Sequence, residues 1–316
     1  MKQTLATKVW ILARLFMVAL LCVDMDIAHA ADAGENSPGA LRAKYDTLRE
    51  RLALNPFKRP LHLDSSEASS EVAGGIYAVI NSPFATVDAA LNSPGNWCDI
   101  LMLHLNTKYC RASAAGQGDV LSVSIGKKYD QPLADAYRVV FAYRVAAQTP
   151  NYLQVRLHAD QGPLSTSNYH IMLEAIPLEN GQTFIHFSYS YAYGLVGRLA
   201  MQVYLSTIGR NKVGFTVASV QANGQILHIG GMRGVVERNT MRYYLAIESY
   251  LGALSAPPPA QLEKRLQAWF AAIENYPRQL HEMEQDAYLD MKRMEHRRLQ
   301  AELPVANADR LKVAIP

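Results

Sequence analysis

The stretch that decides the fold is Gly234–Leu254, which reads GVVERNTMRYYLAIESYLGAL. Its apolar residues recur at spacings of three and four, and this spacing predicts one amphipathic helix. The residues that share the apolar face are Val236, Thr240, Tyr244, Ile247, Leu251 and Leu254. Arg238, Arg242 and Ser249 are expected to point away from that face. The prolines at 257–259 end the helix, because proline cannot continue it.

A series of alternating segments precedes this helix. In each segment the odd-numbered residues are apolar and at least half of the even-numbered residues are polar, which predicts an antiparallel sheet with one buried face. The segments are Leu121–Ile125, Tyr137–Val145, Leu153–Ala159, Tyr169–Ala175 and Ile185–Tyr193. Asn180-Gly181 and Asn223-Gly224 predict tight hairpin turns. By contrast, His62–Ser70 is polar and rich in serine, so a loop is expected there.

Shorter helices are predicted on both sides of the sheet. Leu41–Leu54 has helical spacing of its leucines, and Ser82-Pro83 is a favourable start for a second helix. Arg198–Thr207 suits a short inserted helix. After the prolines, Gln261–Ala272 and Pro277–Leu299 predict a charged helical tail. Its charge density suggests that the tail packs outside the core.

The first thirty residues have the pattern of an export signal. Lys2 and Lys8 precede the apolar run Val9–Val23, and Ala28-His29-Ala30 matches a small-residue cleavage site. The alternative is a retained membrane anchor, but the run is shorter than the roughly twenty residues that a span needs. We therefore expect export to the periplasm with cleavage near Ala30. The net charge of +3 gives no reason to expect nucleic acid as a partner.

The cysteines agree with export. Cys22 belongs to the signal, which leaves Cys98 and Cys110 as an even pair in an oxidising compartment. A disulfide between them is the favoured interpretation, and two separate buried thiols are the alternative.

Three places in the chain resemble a known superfamily. They are Ser82-Pro83-Phe84 through Trp97, Gly162-Pro163-Leu164 before the strand Tyr169–Ile176, and the helix Gly234–Leu254. Together they resemble the helix-grip fold of START-type lipid-transfer domains and the birch-pollen-allergen superfamily. The resemblance covers roughly Glu71–Ala256 and implies an α+β fold, in which a curved antiparallel sheet surrounds a long C-terminal helix. It divides the chain into a signal (1–30), an N-terminal helix and linker (31–70), a helix-grip domain (71–256) and a helical tail (257–316).

The same resemblance suggests a cavity, because members of the superfamily bind sterols, phospholipids and other apolar molecules between helix and sheet. The composition agrees: there are 17 Tyr and 8 Phe, whereas a dry core prefers Phe because each buried hydroxyl needs a partner. A filled core is the alternative. The predicted lining comprises Tyr137, Phe141, Tyr143, Tyr189, Tyr191, Tyr193, Tyr243 or Tyr244, and Ile247. Arg238 and Arg242 could hold an anionic headgroup at the mouth, or could instead be solvated or paired with the tail.

Catalytic signals are weak. His104 and Lys108 with Asp99 could do acid–base work, but a disulfide-stapled corner with satisfied polar groups is the favoured interpretation. The sequence has no motif for a metal, a nucleotide or a serine nucleophile, so no catalytic residue, metal or cofactor is assigned. We therefore predict an exported protein that binds an apolar or amphipathic ligand, such as a lipid in transfer, with transient membrane contact. The alternatives are an enzyme on this scaffold and an adaptor that docks a protein partner through its helical tail.

Overall fold

The computed structural model describes residues 36–115, 118–195, 197–199 and 212–312, with side chains as far as residue 301. The helices are α1 (Pro38–Ala53), α2 (Phe84–Leu91), α3 (Pro94–Leu101), α4 (Gly231–Ala253), α5 (Pro258–Glu274), α6 (Pro277–Leu280) and α7 (Gln285–Lys312). The strands are β1 (Leu61–Ala68), β2 (Glu71–Ile80), β3 (Thr107–Ala115), β4 (Gly118–Ile125), β5 (Tyr137–Thr149), β6 (Tyr152–Gln161), β7 (Thr166–Pro177), β8 (Thr183–Tyr193), β9 (Val217–Val220) and β10 (Ile226–His228).

The first eight strands form one antiparallel sheet in the order β1-β2-β8-β7-β6-β5-β4-β3. The predicted odd-numbered residues of β5 to β8 lie on its buried inner face, with Tyr137 at the start of β5 as the exception. Gly181 and Gly224 have φ angles of 76° and 80°, as the two predicted hairpin turns require. The predicted antiparallel sheet is therefore confirmed.

Helix α4 packs against the inner face of the sheet on β1, β2 and β8. It passes close to Gly74, where a Cβ atom would lie 2.4 Å from the Oγ1 atom of Thr240. Only glycine allows the helix to come so near the strand. A sheet that holds one long helix in this way is the predicted helix-grip arrangement, and the predicted α+β fold class is confirmed.

The sheet begins earlier than the sequence analysis placed it. The prediction of a loop over His62–Ser70 is wrong, because β1 pairs with β2 in continuous register from Leu61 to Ala68. Leu61 and Leu63 are buried under the helices, while the following polar residues of β1 are mostly exposed. A strand at the edge of a sheet tolerates such polar residues because water reaches its outer side.

The helical tail is part of the core, and the prediction that it packs outside is wrong. Trp269, Phe270 and Tyr288 belong to the same hydrophobic cluster as the inner face of the sheet. The indole Nε1 of Trp269 also donates a hydrogen bond to the backbone oxygen of Arg242 at 3.0 Å. The apolar stripe of the tail is therefore its contact face, and its many charges lie mainly on the other side.

Two sequence predictions fall on residues that the structure leaves undescribed. The export signal at 1–30 lies wholly outside the described residues, and the predicted helix Arg198–Thr207 lies mostly outside them. Among the helices that are described, none combines the length and the apolar character needed to cross a membrane.

Candidate ligand-binding site

A group of aromatic side chains lies where the inner face of the sheet meets α4. Tyr169 on β7 and Tyr191 on β8 stack with ring centroids 5.3 Å apart. Tyr189 lies 5.6 Å from Tyr191 and 5.5 Å from Tyr243 of the helix. Phe141 on β5 meets Tyr169 edge-on at 6.2 Å. We call these five residues the aromatic cluster.

The other predicted lining residues have different surroundings. Tyr137 lies at the start of β5 and is 42% exposed. The hydroxyl of Tyr143 donates to the backbone oxygen of Leu91 at 3.3 Å, and that of Tyr193 donates to Glu67 at 3.0 Å. Tyr143 thus ties β5 to the end of α2, and Tyr193 ties the end of β8 to β1, so both hydroxyls are used within the protein.

Helix α4 presents one of its two adjacent tyrosines to the aromatic cluster. Tyr243 is only partly buried and faces Tyr189, whereas Tyr244 is fully buried and donates to Glu248 at 3.2 Å. Ile247 is also fully buried. The helical spacing used in the sequence analysis placed Tyr244 on the apolar face, but it could not show which face of α4 meets β8.

Three hydroxyls of the aromatic cluster form no hydrogen bond with any described residue, those of Tyr189, Tyr191 and Tyr243. The side chains of Tyr189 and Tyr191 are only 7% and 4% exposed. Their hydroxyl oxygens are not among the fully buried polar atoms that lack a partner, so a small polar group can still reach them. Buried polar groups in proteins are nearly always satisfied by protein, water or ligand. The arrangement is therefore suited to hydrogen-bonding the polar end of an otherwise apolar molecule.

Burial also keeps these hydroxyls protonated. It raises the pKa of Tyr169 to about 12, and it raises the pKa of Tyr189, Tyr191 and Tyr243 further. Neighbouring tyrosines add to the increase because their phenolates would repel one another. At physiological pH the cluster thus offers neutral hydroxyls, each of which can donate and accept.

The raised pKa values predict alkaline unfolding. A tyrosine whose pKa is higher in the folded than in the unfolded state stabilises the fold below pH 10, and this contribution is lost as pH rises further. Burial lowers the pKa of Lys292 to about 8. Between this pKa and the ordinary value of 10.5, deprotonation of Lys292 in the folded state makes the free energy of unfolding rise with pH. We therefore expect the free energy of unfolding to fall from pH 10.5 upward. Denaturant titrations at a series of pH values measure the free energy of unfolding, and tyrosinate absorbance reports ionisation of the tyrosines. The prediction is contradicted if all tyrosines of the cluster ionise while the protein stays folded.

His104 borders the aromatic cluster. Its ring stacks on Tyr243 with centroids 4.8 Å apart, and its Nδ1 atom accepts a hydrogen bond from the backbone N–H of Asn106 at 3.1 Å. The proton of the neutral ring therefore sits on Nε2, which is buried and has the side chain of Asn239 as a polar neighbour, without a well-formed hydrogen bond to any described residue. Burial, together with the positive charge of Arg242, holds the pKa of His104 well below its ordinary value. His104 is thus a neutral hydrogen-bond donor and a weak base.

The two predicted headgroup arginines are held by the protein itself. Arg242 is 2% exposed and pairs with Glu282 at 2.7 Å, and Arg238 is 3% exposed and donates to the backbone oxygen of Val213 at 3.2 Å. Both arginines are nevertheless buried, because the tail and the segment before α4 cover that side of the helix. For Arg242 this is the predicted alternative of a pair with the tail. Burial alone would raise the pKa of Glu282, but Arg242 and two lysines lower it.

The proposed acid–base group of His104, Lys108 and Asp99 is not assembled. Lys108 binds Glu295 of α7 at 3.0 Å, and Asp99 pairs with Arg265 of α5 at 2.8 Å. The predicted disulfide between Cys98 and Cys110 is present, with Cα atoms 5.1 Å apart. Within the described residues, no group of three or more His, Cys, Asp or Glu side chains is placed to hold a metal ion.

No family model matches the chain, and no curated protein matches it. Solved structures do match. A START superfamily protein from Mycobacterium smegmatis is 13% identical, covers 47% of this chain and 92% of its own, and has a TM-score of 0.29. Human StAR-related lipid transfer protein 5 is 11% identical, with coverage of 55% and 91% and a TM-score of 0.29. Truncated norcoclaurine synthase from Thalictrum flavum is 13% identical, with coverage of 46% and 91% and a TM-score of 0.31. The predicted resemblance to START-type and birch-pollen-allergen proteins is confirmed as one of fold alone.

Proposed function

We propose that the protein binds an apolar or amphipathic small molecule between the inner face of the sheet and α4. The observation that carries the proposal is the set of hydroxyls on Tyr189, Tyr191 and Tyr243, which form no hydrogen bond with any described residue. A cavity lined by aromatic rings with a few convergent polar groups is the usual form of a site for such ligands. The rings supply apolar contact area, and the hydroxyls orient the polar end of the ligand.

The polar end of the ligand is expected to be a hydrogen-bond acceptor. His104 contributes an N–H beside Tyr243 that has no well-formed hydrogen bond to any described residue, and the tyrosine hydroxyls can donate as well. A carbonyl or hydroxyl group, as in a fatty acyl ester or a sterol, satisfies such donors. An enzyme on the same scaffold is less favoured, because the low pKa of His104 makes it a weak base and both buried arginines have protein partners.

Enlarging one side chain of the aromatic cluster tests the proposal. If Tyr191 borders a ligand space, then Tyr191→Trp shrinks that space and weakens binding of the fluorescent probe anilinonaphthalene sulfonate by about tenfold, equivalent to about 1.4 kcal/mol. The free energy of unfolding should change by less than about 1 kcal/mol, because the added atoms enter the ligand space. Probe titration and denaturant unfolding are measured on the same preparations.

Tyr244→Trp is the matched control. Tyr244 lies on α4 next to Tyr243 of the aromatic cluster, is fully buried, and donates its hydroxyl proton to Glu248. Adding volume there overpacks the interior and is expected to cost about 1–3 kcal/mol. If Tyr191→Trp costs as much as this control, and the wild-type protein binds no probe, then the aromatic cluster is packing and the proposal fails.

We also propose that the protein is exported to the periplasm. The support is the signal-like pattern of residues 1–30 together with the disulfide between Cys98 and Cys110, since disulfides persist in oxidising compartments. Fractionation of cells with a specific antibody, followed by N-terminal sequencing, tests this. A cytosolic protein that keeps residues 1–30 would exclude it.

A further inference from the structure

Strand β3 forms one edge of the eight-stranded sheet and is open along part of its length. It pairs with β4 on one side, from Thr107 to Ala115. Between Tyr109 and Ala114, the described residues give its backbone no hydrogen bond other than those to β4. Such an edge presents unpaired N–H and C=O groups to which another strand can bind.

A groove of about 700 Å³ runs along the inner side of this edge. One wall is β3 itself, at Cys110–Ser113, and the opposite wall is formed by α5 and α7. Its apolar contacts come from Met102, Leu262, Leu266 and Leu299. Between them lie the charged side chains of Asp99, Arg265 and Lys292, each of which is paired within the protein. We call it the inner groove.

A second groove, of about 490 Å³, lies on the outer side of the same edge. It shares Arg111 and Ser113 with the inner groove, so the two adjoin along β3. Arg138 also lines it and donates to Ser122 at 3.2 Å, while no described residue forms an ion pair or hydrogen bond with Arg111. This outer groove is polar and basic.

We propose that a peptide segment of a partner protein binds in extended form along the free edge of β3 as a ninth strand. Successive side chains of a strand point to opposite faces. Every second residue of the peptide therefore enters the inner groove, where the leucines of α5 and α7 offer apolar contact. The residues between them reach Arg111 and Arg138 in the outer groove. The fitting peptide alternates apolar and acidic residues, and main-chain hydrogen bonds to β3 supply part of the affinity. This site is separate from the proposed ligand site beneath α4.

The test uses a labelled, end-capped peptide of alternating valine and glutamate and measures its binding by fluorescence anisotropy. Wild-type protein should bind it, and methylation of every second backbone nitrogen should weaken binding about tenfold or more by removing the donors that face β3. Arg111→Glu should also weaken binding of this peptide about tenfold, and it should improve binding of a valine–lysine peptide, because charge complementarity sets the preference.

Arg144→Glu provides the matched control. Arg144 is exposed on the outer face of the sheet but lines neither groove, so its reversal should leave peptide affinity within about twofold. The proposal is overturned if the methylated peptide binds as well as its parent, or if wild-type protein binds neither. It is likewise overturned if Arg111→Glu and Arg144→Glu weaken peptide binding equally. A membrane surface would replace the peptide as the partner if the peptide does not bind and both substitutions reduce binding of the protein to anionic vesicles.

Discussion

Replacing Glu295 by glutamine is expected to destabilise the protein by about 3–5 kcal/mol, because the change leaves buried charge without a counter-charge. The Glu295 carboxylate binds Lys108 at 3.0 Å and Lys292 at 2.8 Å, and all three side chains are at most 2% exposed. Burial already lowers the pKa of Lys292 to about 8 although Glu295 favours its charged form. Without the carboxylate, two ammonium groups would repel each other in the interior. Chemical denaturation of both proteins at neutral pH measures the difference.

Glu263→Gln is the control for this prediction. Glu263 of α5 pairs with Arg293 of α7 at 2.6 Å, but the side chains are 40% and 38% exposed. Water screens such a pair, so its loss should change the free energy of unfolding little. If Glu295→Gln costs no more than this control, then the two lysines are solvated and the buried cluster does not hold α7 in place.

Ending the chain after Ala256 is expected to abolish cooperative folding. The truncation removes Trp269, Phe270 and Tyr288, which lie in the same hydrophobic cluster as the sheet, and Phe or Trp to Ala changes alone cost about 3–5 kcal/mol each. It also removes Glu282 and Glu295, which pair with buried cations. A domain has only about 5–15 kcal/mol of total stability, so these losses exceed what it can tolerate.

A shorter truncation separates loss of the core from loss of length. Ending the chain after Gln300 keeps every buried residue of α7 that the structure describes. This protein should unfold cooperatively, with a transition close to that of the full chain in near-ultraviolet circular dichroism. If the fragment that ends at Ala256 showed the same sharp transition, the tail would be an appendage and the sheet with α4 would fold alone.

The sequence was most informative where a repeating pattern of apolar residues packs against one other surface of the protein. Period-two alternation correctly placed Phe141, Tyr189 and Tyr191 on the inner face, because each strand of a sheet has only two sides. Strand β1 was missed because an edge strand needs few apolar residues, and His62–Ala68 supplies only Leu63 and Ala68. The serine content of β1 resembles that of a loop, and only its pairing with β2 distinguishes the two.

The prediction for the tail was wrong because it relied on the number of charged residues and not on where their side chains lie in the structure. Lys108, Lys292 and Glu295 look like surface residues in the sequence, and they are nearly 190 positions apart at the extremes. Their mutual neutralisation appears only in three dimensions. The same holds for Arg242, whose helical position gave no sign that Glu282 would cover it. For the aromatic cluster, spacing alone could not choose between Tyr243 and Tyr244.

The contact between Lys108 and Glu295 also constrains the order of folding. The two residues are 187 positions apart, so the chain must close a very long loop before the pair can form. Lys108, at the start of β3, thus gains the carboxylate of Glu295 only when α7 arrives. During synthesis the N-terminal part of the chain appears first, so all eight strands of the sheet are available before α7. At that stage the tail does not yet cover the inner face of the sheet. Completion of the native state is therefore a late event that depends on the last helix, and intermediates lacking it expose apolar surface prone to aggregation.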